Sequence, residues 1–447
     1  MIEFLTLTAA DLAVEREQLL DEGKDISSVE TELAALAATD LESDPALQDR
    51  ANALLDLTAA LPMRPGYPYN EPSDLAGIHA QRPDGPRRFA HALADDVLFD
   101  RVHAAWLGRC AGCLLGKPVE GWRSYTMWPY LHDLGRYPLA GYFRSDVPDA
   151  VYAKYPKVLR GRAYVDLVSH MPEDDDTNYT VTGLAIMKKH GRDFTPADVG
   201  MFWLDNIPMN HTYTAERVAY RNLANLALHP RSATLRNPYR EWIGAQIRAD
   251  FFGYAAVGNP ELAAEFAWRD ATVSHIKNGI YGEMWVAAML AAAPFVADVH
   301  ELLIVGLSEI PRTCRLAADI HQVISWHSEG IGFDKAIERI HTRWDEDNPH
   351  HWCHTNSNAQ IVALGLLWGE GSYALSICRA VQACFDTDCN GATVGSLFGM
   401  MHGTAALPDE WIAPLNDRLD TGIAGYHSVR ISEIARQGFD IYKNIAP

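Results

Sequence analysis

Apolar residues recur at intervals of three and four through most of this chain, the spacing that gathers them on one face of a helix. The pattern predicts helices over Val97 to Leu115, Thr177 to Lys189, Pro196 to Trp203, Pro260 to Arg269 and Gly282 to Ala292. It continues over Leu316 to Trp326, Phe333 to Trp344, Asn358 to Trp368, Ser372 to Ala383 and Asn390 to His402. Alternating β-branched runs are scarce, and no internal repeat or low-complexity tract breaks the series. The expected fold class is all-α, a compact multi-helix domain.

The two ends of the pattern differ. Residues 1–61 carry Leu33, Leu36, Leu47, Leu54, Leu55 and Leu57 among acidic and polar neighbours, which predicts short amphipathic helices in an N-terminal extension. Ser43-Asp44-Pro45 reads as a helix cap followed by proline at the first helical position. Residues 62–88 are rich in proline and glycine and are expected to be an irregular or extended linker. The catalytic body is expected over residues 89–447.

Two helices depart from ordinary patterning. Gly108, Gly112 and Gly116 recur every fourth residue, and so do Gly391, Gly395, Gly399 and Gly403. A glycine inside a helix costs about 1 kcal/mol relative to alanine, so each row needs a compensating use. Close approach of a second backbone is the commoner use; close approach of a ligand is the other.

Acidic residues cluster beside these helices. Glu173-Asp174-Asp175-Asp176 precedes one helix, Asp386 and Asp388 open another, and Glu120 follows the first glycine row. One aspartate suffices to cap a helix, and acids suit its positive end. Four consecutive acids exceed that need, and their mutual repulsion favours a cation among them. Carboxylate oxygens are the donors a hard divalent ion takes, so a metal-dependent hydrolase is the leading functional class.

Charge narrows the partners. The chain has 58 acidic and 38 basic residues, a formal net charge of −20, which disfavours attraction to nucleic acid or anionic lipid. No apolar run reaches the roughly 18 residues that cross a bilayer, and the start lacks a secretory pattern, so a soluble, cytoplasmic protein is expected. The seven cysteines are odd in number and fall mostly in apolar segments, which suits reduced, buried thiols. Cys110-Ala111-Gly112-Cys113 has redox-motif spacing but lies inside an apolar helix. Arg109, Arg248 and Lys277 are conceivable phosphate partners, with exposed, solvated roles expected for each. Trp122, Tyr281 and Trp352 are stacking candidates, with core packing the commoner use of such residues, and His350, His351 and His354 are pocket or metal candidates, although loop histidines are more often neither.

Together these blocks resemble the ADP-ribosylglycohydrolase family, of the dinitrogenase reductase-activating glycohydrolase-like kind. The resemblance covers roughly residues 97 to 405. Trp106-Leu107-Gly108 through Gly116-Lys117-Pro118-Val119-Glu120 is similar to the family's opening block, with Glu120 at the active-site glutamate. Asp174-Asp175-Asp176-Thr177 falls on the T-D-D-T block, and Asp386-Thr387-Asp388-Cys389-Asn390-Gly391 on the D-T-D-T block. Val273-Ser274-His275 is similar to the T-H element of the ligand pocket. Three departures stand out: Asp174 and Cys389 replace threonines, and Cys113 replaces an aspartate.

The resemblance implies a binuclear centre of two divalent cations, Mg2+ or Mn2+, held by Asp174, Asp175, Asp176, Asp386 and Asp388. It implies Glu120 and Asp174 as catalytic residues, and Gly116, Trp122, His275, Trp352, Asn390 and Gly391 as substrate-binding. The implied reaction is hydrolysis of a ribosyl C1″ bond in an ADP-ribosylated or small-molecule substrate. Two alternatives accompany it: a glycosidase for another pentofuranosyl or nucleoside-like metabolite, and a non-catalytic ADP-ribose-binding or structural relative.

Overall fold

The computed structural model describes residues 5–89, 93–155 and 163–445. Among the described residues there are 23 α-helices and one two-stranded antiparallel sheet, in which Leu419 of Arg418–Asp420 faces Val429 of Ser428–Arg430. The all-α class holds.

Helix boundaries follow local chemistry. Asp44 caps Pro45–Thr58 by accepting from the Ala46 N–H, with Pro45 in the first turn. Thr195 and Asp198 form a reciprocal capping box at the start of Pro196–Asn206. Lys277–Ala292 is buried on every side, because from Ile280 onward it is almost wholly apolar. A helix apolar all round belongs at the centre of the core, and it stands there.

The glycine rows meet. Helix Asp95–Gly116 lies against helix Thr387–His402 so closely that a Cβ added at Gly112 would stand 2.0 Å from the Gly391 carbonyl oxygen. One added at Gly391 would stand 2.4 Å from the Gly112 carbonyl oxygen, and Gly108 and Gly395 oppose each other in the same way. The rows therefore serve backbone-to-backbone packing. Thr387 Oγ1 donates to the Gly116 carbonyl at 3.0 Å, which fixes the end of one helix against the start of the other.

The N-terminal helices Ala9–Asp21, Glu30–Ala37 and Pro45–Thr58 enclose a small core of their own that includes Leu12, Leu33, Leu36 and Leu54. A buried polar seam joins them to the body: Arg240 pairs with Glu15 at 2.6 Å and Glu22 at 2.7 Å, Lys277 with Glu22 at 2.8 Å, and Gln18 donates to Glu241 at 2.7 Å.

Several expectations are corrected. The 62–88 stretch contains helix Leu75–Gln81, capped by Asp74, and is anchored by Glu71 to Arg315 at 2.8 Å and Arg82 to Glu309 at 2.7 Å. Arg109 and Arg248 are buried in ion pairs instead of being solvated, and Lys277 is committed to Glu22. Tyr281 is no correction: it is a core residue, the commoner use expected of it, and its hydroxyl donates to the Pro72 carbonyl. Helices Thr214–Ala224, Val299–Leu307 and Ile431–Ile445 were not foreseen. Thr214–Ala224 buries Glu216 and Arg217, so its inward face does not read as apolar. Of the segment between Trp122 and Met171, residues 156–162 lie outside the described residues, and the rest includes helices Ser124–Asp133 and Asp149–Lys154.

Candidate active site

Three chain segments bring their carboxylates to one cavity of about 530 Å³. Glu120 arrives just after the single turn Lys117–Val119 that extends the first glycine-faced helix. Asp174 and Asp175 stand at the start of helix Asp175–His190, and Asp386 and Asp388 at the start of Thr387–His402. Because Gly116 packs on Thr387 and Asp388, the glycine contact places the Glu120 turn beside the Asp388 turn. The packing rule thus builds the site.

Asp174 is the most heavily committed member. Its Oδ1 accepts from the Asp176 N–H at 3.0 Å as the helix cap, and its Oδ2 pairs with Lys117 Nζ at 2.5 Å. Asp176 is wholly buried; Arg109 holds its Oδ1 at 3.1 Å and its carbonyl at 2.8 Å, while Arg109 also pairs with Asp250 at 2.8 Å. Asp176 Oδ2 and Asp388 Oδ1 are buried and make no hydrogen bond within the protein. A buried carboxylate oxygen without a partner is costly, by more than the roughly 1–3 kcal/mol of a neutral group. Two such atoms in one acidic cluster fit a cation.

The proton affinities point the same way. Burial, then Asp174, pushes Asp388 up to about 6. Burial and the neighbouring carboxylates hold Asp175, Asp176 and Asp386 well above the usual carboxylate range, even though Arg109 opposes the shift at Asp176. Glu120 is raised first by the Asp388 charge and then by burial. Like charges gathered in one recess either take up protons or take up cations. All-oxygen donors suit Mg2+ or Mn2+, so the residues present fit a hard-metal centre.

The two cysteine departures border the same cluster. Ligand atoms of Cys113, Asp174 and Asp176 lie within 4.8 Å of one another, as do those of Asp176, Asp388 and Cys389. Burial, followed by the aspartate charges, pushes both thiols well up, so each stands as a neutral S–H. All seven cysteines are free and buried.

The expected substrate-binding residues divide. Trp352 lines the cavity, beneath the Arg123 guanidinium at 5.4 Å. Asn390 lies behind the wall, donating to Asn358 Oδ1 at 2.8 Å; the same oxygen accepts from the Asp386 N–H at 3.1 Å. Gly116 and Gly391 are in the helix–helix contact. Trp122 is buried edge-on against Tyr130, and His275 is buried with its Nδ1 2.7 Å from Ser274 Oγ; neither is on the cavity wall.

Other wall residues escaped the sequence reading. Lys117 lines the wall, and its position next to Gly116 is the sequence signal that points to it. His211, which pairs with Glu173, and Glu216, which pairs with Arg248 at 2.6 Å, come from segments with no motif. Cys353 also lines the wall, its Sγ 3.7 Å from Asp386 Oδ2.

Among the described residues, no helix is long and apolar enough to cross a membrane. No curated protein matches the chain significantly. A solved structure described as an ADP-ribosylglycohydrolase-related protein complex is similar over 78% of this chain and 99% of its own, with 18% identity and a TM-score of 0.48. Residues 94–440 match the family model described as ADP-ribosylglycohydrolase, a family of glycohydrolases that are generally metal-dependent. That match spans well over half of the sequence, and the chain therefore belongs to the ADP-ribosylglycohydrolase family.

Proposed function

We propose that this protein is a metal-dependent hydrolase of a ribosyl C1″ glycosidic bond, acting on an ADP-ribosylated substrate as its family suggests. The observation that carries the reading is the convergence of Glu120, Asp174, Asp175, Asp386 and Asp388 on one cavity, with buried orphan oxygens on Asp176 and Asp388 behind them. Asp175, Asp176, Asp386 and Asp388 would hold the two divalent cations. Asp174 would join them while fixing Lys117 and the helix start. Bound there, the ions supply Lewis acidity toward the sugar hydroxyls and the attacking water.

Glu120 is the general base in this scheme. The residue is exposed while Asp174, Asp176, Asp386 and Asp388 are buried, and the Asp388 charge, ahead of the desolvation of its crowded recess, raises its affinity for a proton. It takes a proton from the attacking water as the water oxygen bonds to C1″. The bond from C1″ to the leaving group breaks with its electron pair going to that group, and Glu120 returns the proton there. Trp352 offers a flat face for the sugar or base.

One observation favours a second reading, a glycosidase for another pentofuranosyl or nucleoside-like metabolite. The cavity's Lys117 and His211 are both engaged by carboxylates, Asp174 and Glu173, and so are poorly placed to receive a diphosphate. The two readings separate in a hydrolysis screen with added Mg2+ or Mn2+, comparing ADP-ribosyl-arginine, ADP-ribosyl-serine, free ADP-ribose derivatives and simple furanosides. Turnover of one class that disappears in Asp388→Ala supports a metal-dependent enzyme and names the class. Tight ADP-ribose binding with no turnover of any compound would sink both.

A further inference from the structure

The N-terminal extension ends its first helix inside the body, beside the cavity wall. Asp21 Oδ2 lies 3.3 Å from His350 Nε2, and ligand atoms of Asp21, His350 and His354 lie within 4.8 Å of one another. Three such groups suggest a transition-metal site, but their hydrogen bonds argue otherwise. The Trp242 indole N–H donates to His350 Nδ1 at 3.1 Å, and the Asn356 backbone N–H donates to His354 Nδ1 at 3.0 Å. Neither donor can act as an acceptor, so each Nδ1 presents a lone pair and each neutral ring carries its proton on Nε2. An Nε2–H has no electron pair for a metal. It is a donor, and the carboxylate of Asp21 faces that of His350 at 3.3 Å, a polar contact outside hydrogen-bond geometry.

The far side of these histidines is the cavity. Trp352 and Cys353, between them in sequence, line its wall. Asn358 Nδ2 donates to the Trp352 carbonyl at 3.1 Å and the His354 carbonyl at 3.0 Å, while its Oδ1 accepts from the Asp386 N–H. The Cys353 carbonyl accepts from the N–H of Ile243, another wall residue, at 2.9 Å.

From this chain of contacts we infer that Asp21 is a positioning residue for the cavity: through its 3.3 Å contact with His350, the N-terminal extension holds the Trp352–His354 turn and, through Asn358, the backbone of Asp386. Its catalytic meaning rests on the cavity being the active site proposed above, whereas the positioning is testable without any substrate.

The thiol of Cys353 reports on the wall. Full-length wild type, Asp21→Ala and Asp21→Asn are treated with iodoacetamide, and alkylation of Cys353 is followed by peptide mass spectrometry, with buried Cys378 as the internal control. Asp21→Ala is expected to speed Cys353 alkylation by about tenfold, a local opening that leaves Cys378 within about twofold of wild type. Asp21→Asn, which retains one carbonyl acceptor, is expected to restore most of the protection. No change at Cys353 in the alanine variant, a parallel rise at Cys378, or failure of asparagine to protect overturns the inference. Nitrogen-15 spectra of histidine-labelled wild type supply a test that needs no variant fold to survive: Nε2–H tautomers at His350 and His354 support the latch. Nδ1–H tautomers there, or Zn2+ binding lost in His350→Ala, overturn it.

Discussion

Glu120 and Asp388 interact most directly through charge, and each makes its own prediction. Glu120→Gln removes the proposed base without adding bulk, so turnover should fall by about 100-fold or more. Mn2+ binding measured by calorimetry should persist, since Glu120 is not among the proposed ligands; loss of both together would reassign it. Asp388 gives a pH dependence with a definite sign. Its carboxyl is raised from 3.8 to about 6, so the folded chain binds this proton more tightly than the unfolded chain does. Its contribution to metal-free stability is therefore present below pH 3.8 and is lost as pH rises through about 6. Asp388→Asn stays neutral throughout. In urea unfolding with a chelator present, the variant should be the more stable protein above about pH 6, and added Mn2+ should stabilise wild type alone and so reverse the order. Equal pH slopes for the two would refute the account.

The paired glycine helices are the element on which the site depends. A Cβ at Gly112 meets the Gly391 carbonyl oxygen at 2.0 Å, and backbone cannot swing aside as a side chain can. Gly112→Ala should cost about 3 kcal/mol in urea unfolding, with some loss of metal affinity because the Asp386 and Asp388 turn moves with its helix. Gly141→Ala is the matched control: a Cβ there has nothing within 4 Å, and stability should shift by less than about 0.5 kcal/mol. These helices were legible as glycine-patterned segments, but each row alone left open whether a backbone or a ligand approached it. Only the partner row decides that, because the contact is between residues nearly 280 positions apart.

At the scale of the whole molecule, the extension and the body share charges that neither can leave unpaired. Arg240→Ala takes the paired cation from Glu15 and leaves Glu22 with Lys277, and breaking a buried pair from one side costs about 3–5 kcal/mol. Hydrogen exchange should then show Ala9–Asp21 losing protection before the Lys277–Ala292 core does. Exchange that rises equally in both would mean that the seam is not the joint. The extension's amphipathic helices were foreseen, but their docking was not. Glu15, Gln18 and Glu22 read as an exposed polar face until their partners near Arg240 and Glu241 are known.

Sequence alone determined what is local. Helical periodicity, the Asp44 cap, the glycine spacing and the acid runs each depend on residues a few positions apart, so the all-α class and the carboxylate blocks were readable directly. Tertiary structure decided what depends on distance in the chain. It paired the glycine rows, brought Glu120 beside Asp388, and buried Arg109 against Asp176 and Asp250. It also set Lys117 and His211 in the cavity and moved His275 and Trp122 off its wall. A side chain's charge, burial and partners are properties of the packed core, and the order of residues along the chain does not contain them until the helices meet.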